Sequence, residues 1–149
     1  MTIRYGHTNL VARDWRRLAA FYETVFRCTP VPPRRSQRGE WLERGTGVPG
    51  AALEGMHLRF PGGGDDGPTL EVYQYAEVVE NLPPVANRAG LGHIAFMVDD
   101  VEATLAAVLA HGGSAVGEVV RTDVPGKGPL TFVYAADPEG NLVEIQCWG

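Results

Sequence analysis

Two periodicities alternate along the chain, and the alternation occurs twice. From Ile3 to Val11 apolar and polar residues alternate as in a strand, with His7, Asn9 and Val11 on one face and Thr8 and Leu10 on the other. Trp15, Leu18, Ala19, Tyr22, Val25 and Phe26 then recur at helical spacing, behind Asp14 as an N-cap. The prolines of Thr29-Pro-Val-Pro-Pro33 end that helix. Arg34 to Gly50 reads as a basic loop around a short strand near Glu40-Trp41-Leu42. Ala51 to Phe60 reads as a strand, and Pro61 to Pro68 as a turn cluster. Thr69 to Tyr75 is a further strand, with Glu71, Tyr73 and Tyr75 on one face.

After a proline-containing linker over 76–89 the pattern restarts. It predicts a strand from Gly90 to Val98, a cap at Asp99 or Asp100, and a helix through Val101, Leu105, Val108 and Leu109 that stops at Gly112-Gly113. Strands follow at Ser114–Arg121, Leu130–Ala136 and Asn141–Trp148, the last two joined by the tight turn Asp137-Pro-Glu-Gly140. Each half is strand, helix, three strands. We therefore expect a single α+β domain over 1–149, built from a repeat over 3–75 and a repeat over 90–148.

Composition narrows the function classes. The chain has 149 residues, 44% apolar and 21% charged, as an ordinary globular domain does. A formal charge of −5 argues against nucleic acid as a partner, because phosphate binding favours a basic surface. No apolar run approaches the roughly 20 residues of a membrane helix, so no membrane partner is expected. The start of the chain lacks a signal-peptide core, and Cys28 and Cys147 do not make a disulfide framework. Together these predict a cytoplasmic protein.

The candidate chemistry lies in four residues. His7 and His93 sit on the first strand of each half, and Glu71 and Glu144 on the last, 64 and 51 residues further on. The longer first half is absorbed by its proline- and arginine-rich loop. An ionisable group among Leu142, Val143 and Ile145, or among Leu91, Ile94 and Phe96, is costly unless it is paired or metal-bound. Two imidazoles and two carboxylates suit a first-row divalent ion, with open positions left for substrate oxygens. Asn9, Tyr73, Gln146 and Trp148 share strand faces with these residues and either line a pocket or pack as ordinary interior. The arginines of the 34–44 stretch form either a solvated loop or an arm for an anionic substrate. His57 and His111 lack the repeat symmetry, so we place His57 at a strand edge and His111 at an exposed helix C-terminus.

The sequence resembles the vicinal oxygen chelate superfamily: glyoxalase I, methylmalonyl-CoA epimerase, extradiol dioxygenases, and the fosfomycin and bleomycin resistance proteins. The resemblance rests on Gly6-His7-Thr8, Ala20-Phe21-Tyr22, Leu70-Glu71-Val72, Gly92-His93-Ile94-Ala95-Phe96, and Asp137-Pro138-Glu139-Gly140-Asn141 followed by Glu144. It implies two βαβββ modules forming a curled mixed sheet, and a divalent metal (Ni, Co, Zn, Mn or Fe) on His7, Glu71, His93 and Glu144. It further implies a homodimer acting on a small molecule with vicinal oxygens, as a lyase or isomerase, through an enediolate-like intermediate. Glu144 or Glu71 would shuttle the proton. The four-ligand set is most similar to glyoxalase I and the epimerase. An iron(II) ring-cleaving dioxygenase using His7, His93 and Glu144, or a non-catalytic antibiotic-binding protein, is the alternative. Val11 and Tyr75 stand where bacterial glyoxalase I carries its polar glutathione contacts, which speaks against a glutathione thioester substrate.

Overall fold

The computed structural model describes residues 2–149, which divide between Glu80 and Asn81 into two compact units. The fold is α+β, with one mixed sheet in each unit.

The first unit contains β1 (His7–Val11), α1 (Trp15–Phe26), β2 (Thr29–Arg38), α2 (Glu40–Thr46), β3 (Ala52–Arg59) and β4 (Thr69–Tyr75). Its sheet order is β1-β4-β3-β2, with β1 parallel to β4 and the other pairs antiparallel. Asp14 caps α1 by accepting from the backbone N–H groups of Arg16 and Arg17, both at 3.1 Å. The helix ends at Arg27, in the left-handed conformation at φ 56°. Trp15, Leu18, Ala19, Phe21, Tyr22 and Phe26 are buried along α1, and Leu10, Leu58, Leu70 and Val72 are buried in the strands. By strand alternation the other sheet face carries Asn9, His57, Glu71 and Tyr73.

Two local expectations fail here. The helix stops ahead of Thr29 as expected, but residues 29–38 form a strand rather than a loop. It lies at the sheet edge, where prolines cost no ladder hydrogen bond, and its register shifts between Val31 and Arg35. The expected short strand near Glu40 is helix α2. Glu40 and Glu43 in its first turn and Arg44 in its last suit the helix dipole, and Leu42 alone is buried. Gly39 and Gly47, at φ 112° and 72°, bracket it.

The second unit contains β5 (Ile94–Met97), α3 (Val101–Ala110), β6 (Ser114–Ala115), β7 (Val120–Val124), β8 (Gly128–Ala136) and β9 (Leu142–Trp148). The order is β5-β9-β8-β6, with β7 also on β8 and β5 parallel to β9. The expected strand 114–121 splits in two because the N–H groups of Val116 and Gly117 both bond the Tyr134 carbonyl at 3.0 Å, which breaks the register. Asp100 caps α3. The buried Asp137 holds the turn before β9: Oδ1 accepts from the N–H groups of Glu139 and Asn141 at 2.9 Å, and Oδ2 from Asn141 Nδ2 at 2.8 Å. That turn sets the start of the strand carrying Glu144.

Candidate metal centre

In the first unit the sheet register gathers polar side chains around Glu71. Asn9 on β1 and His57 on β3 are both its direct neighbours across the ladder. His7 Nε2 lies 3.2 Å and Asn9 Nδ2 3.3 Å from Glu71 Oε2. His57 Nε2 lies 2.9 Å and the Tyr73 hydroxyl 3.2 Å from Oε1. His57 Nε2 is also 2.9 Å from that hydroxyl, and its Nδ1 is 3.2 Å from Thr69 Oγ1. Glu71 is thus a nearly buried carboxylate with donors on both oxygens.

The charge states follow from burial. Desolvation lowers the His57 pKa despite the opposing pull of Glu71, so the ring is neutral and Nε2 meets the Tyr73 hydroxyl, which in turn donates to Glu71. The Tyr73 phenol is pushed up to about 12, first by burial and then by Glu71. It therefore keeps its proton and donates to Oε1. The network is satisfied when His57 carries its proton on Nε2 and its Nδ1 accepts from Thr69.

In the second unit His93, just ahead of β5, places Nε2 3.0 Å from Glu144 Oε2. Tyr134 faces Glu144 across the β8–β9 ladder, and its ring centroid lies 4.9 Å from that of His93. Burial first, and Glu144 second, raise the Tyr134 pKa.

The chain matches the Glyoxalase/Bleomycin resistance protein/Dioxygenase superfamily over residues 4–145. It belongs to this superfamily. A curated Vibrio parahaemolyticus protein described as "Probable lactoylglutathione lyase" is 35% identical over 92 residues, 59% of this chain and 60% of that protein's length. A glyoxalase family protein from Bacillus cereus shares the fold at a TM-score of 0.83 and 20% identity, with 99% of this chain and 95% of that one covered. A fosfomycin resistance protein from Listeria monocytogenes, solved with Mn(II) and sulfate, aligns at a TM-score of 0.55 and 14% identity, covering 100% of this chain and 95% of its own.

Within this superfamily fold, His7 and Glu71 meet in one unit, and His93 and Glu144 meet in the other. Among the described residues no group of three or more His, Cys, Asp or Glu side chains is arranged to hold a metal within either unit. The donor chemistry fits a divalent ion all the same. Two ligands bound at about 2.1 Å and near a right angle stand about 3 Å apart, as each imidazole–carboxylate pair does. Asn9 and Tyr73 join Glu71 directly. Gln146 and Trp148 instead bond each other, Trp148 Nε1 to Gln146 Oε1 at 2.7 Å.

Sequence reasoning undervalued His57. It lies on β3, an interior strand, and not at a sheet edge. Its alternation against Met56 and Leu58 already put it on the polar face, and an antiparallel β3–β4 pair carries it to Glu71. Tyr134 holds the corresponding place in the second unit. His111 caps the C-terminus of α3, with Nδ1 2.8 Å from the Ala107 carbonyl.

Proposed function

We propose that this protein is a metal-dependent, glyoxalase-like lyase or isomerase acting on a small substrate with vicinal oxygens. The observation that carries the reading is the recurrence of one imidazole–carboxylate pair in both units, each histidine two residues before the one opposite its glutamate, at 3.2 and 3.0 Å. His7, Glu71, His93 and Glu144 would hold a divalent ion, of the group Ni, Co, Zn, Mn or Fe. When bound, that ion supplies Lewis-acid polarisation of the substrate oxygens. Glu144 takes a carbon-bound proton on its carboxylate and returns it to the neighbouring carbon. It is suited to this because its one charge contact among the described residues is with His93, at 3.0 Å. Glu71 is held by His7, Asn9, His57 and Tyr73 and stays in place. Asn9, Tyr73, Gln146 and Trp148 would shape the substrate site.

The test is metal uptake. His93→Ala, purified without chelator, is expected to carry less than about a tenth of the wild-type metal content, since a lost imidazole ligand leaves too few donors. Its circular dichroism should be unchanged, because His93 precedes β5 rather than filling the core. Full metal occupancy in the variant rejects the ligand assignment.

The same reading takes the protein as a homodimer. β1 and β5 stand at sheet edges, and Val11 and Met97 on them are 45% and 79% exposed. Sedimentation equilibrium should give the mass of two chains; a monomer at micromolar concentration contradicts it.

One observation favours a second reading. Glu71 already accepts a protein donor on each oxygen, from Asn9 and Tyr73, and if it stays with them His7, His93 and Glu144 would make the two-histidine, one-carboxylate set of an iron(II) dioxygenase. Oxygen uptake with a catechol by the iron-loaded protein would select it, and no uptake would remove it.

A further inference from the structure

The four arginines of the 34–44 stretch differ in what they meet. Arg34 lies 2.6 Å from Glu54, which also takes Arg16 at 3.3 Å. That contact holds the Glu54 carboxyl below its usual range, so Arg34 is neutralised. Arg38 is exposed at the end of β2, and Arg44 lies in the last turn of α2. Arg35 is half-buried on the opposite face of β2 from Arg34, and no carboxylate pairs with it among the described residues. Its one direct hydrogen bond to the backbone runs from Nη1 to the Pro33 carbonyl at 2.9 Å. That bond orients the guanidinium without cancelling its charge.

The register shows where that charge sits. Arg35 pairs with Gly55, and Gly55 pairs with Tyr73. Residues paired across a ladder share a face, so Arg35 is on the face that carries Glu71, His57 and Tyr73. Gly55 offers no side chain to separate Arg35 from Tyr73. The positive charge is felt at the cluster, where it opposes the upward shift of Tyr73 and adds to the downward shift of His57. A half-buried guanidinium without a carboxylate partner, on the sheet face that carries Tyr73, His57 and Glu71, is uncommon unless something anionic meets it.

We propose that Arg35 is the anchor for an oxyanion on the substrate, so that this site takes small acids bearing a carboxylate or phosphate besides their vicinal oxygens. This rests on the metal-site reading above for the vicinal oxygens alone. The guanidinium fork accepts two oxygens of a carboxylate or phosphate in one plane, which fixes the substrate's orientation as well as its presence. The anchor belongs to the first unit, so it fixes the substrate end beside Tyr73.

Three hydroxamates test this by calorimetry on protein saturated with zinc. Acetohydroxamate offers vicinal oxygens alone, succinohydroxamate adds a carboxylate, and phosphonoacetohydroxamate adds a phosphonate. Wild type should bind at least one anionic probe about tenfold more tightly than acetohydroxamate, the size of one charge-assisted contact. The probe with the larger gain tells carboxylate from phosphate. In Arg35→Gln that preference should vanish while acetohydroxamate affinity is unchanged, and Arg35→Lys should recover part of it. Equal affinities for the three probes in wild type, or a preference that survives in Arg35→Gln, overturn the anchor. Failure of the metal reading looks different: acetohydroxamate then binds neither protein. In that case loss of anionic-probe binding in Arg35→Gln still supports the anchor, and its persistence rejects it.

Discussion

Replacing Glu144 by glutamine is expected to lower turnover about a thousandfold, within the range for loss of a general base, while leaving the fold intact. The amide has nearly the carboxylate's shape and its carbonyl oxygen can still meet His93 Nε2, so packing between Val143 and Ile145 is undisturbed. What it lacks is the ability to accept a proton. The measurement needs no knowledge of the natural substrate. Hydroxyacetone carries vicinal oxygens, and wash-in of deuterium from heavy water at its hydroxymethyl carbon reports proton removal by the metal-loaded protein. Wild-type exchange above the buffer rate and its loss in Glu144→Gln are the expected pair. Unimpaired exchange in the variant would remove Glu144 from the proton path.

The matching change at Glu71 should behave differently, because the two carboxylates are supported differently. Glu71 accepts from Asn9 and Tyr73, so an amide there turns a donor toward groups that are already donors. Across the ladders, Ala95 stands at Glu144 where Asn9 stands at Glu71, and Tyr134 stands where His57 does. One imidazole–carboxylate pair is therefore braced and the other is not. That division of labour is what a site with one fixed and one mobile carboxylate requires.

Much of this was legible in the chain. Period-two alternation located β4 at Thr69–Tyr75, its observed bounds, and helical spacing behind caps at Asp14 and at Asp99 or Asp100 located α1 and α3, the second cap being Asp100. Those signals are strong because apolar residues recur at each element's own spacing and reach the core. The stretch over 29–46 was misread because prolines suppress the strand signal, and only the sheet order reveals that β2 is an edge where they are tolerated. A seven-residue helix with a single buried side chain leaves too little periodicity to recognise. The failure at His57 has another origin: its partner Glu71 lies across a strand pairing that the sequence does not number. Arg35 was hidden the same way, since its face depends on the register shift after Val31.

Gly55 is the position where fold and candidate site meet, and Gly55→Ala is expected to destabilise the protein by about 3 kcal/mol or more, at the upper end for overpacking. A Cβ there would stand 2.1 Å from the Val72 carbonyl oxygen, 2.5 Å from Tyr73 Cδ1 and 3.0 Å from Tyr73 Cα. Two of those atoms are backbone in the middle of the sheet, so relief requires β3 and β4 to separate. The Tyr73 ring would also be driven from its place beside His57 and Glu71, loosening the braced carboxylate. Urea unfolding measures the first effect and zinc affinity the second, and both should fall together. A Gly55→Ala protein within about 0.5 kcal/mol of wild type, the range of an ordinary surface change, would mean that Tyr73 can leave β3 freely. Tyr73 would then be no fixed support for Glu71.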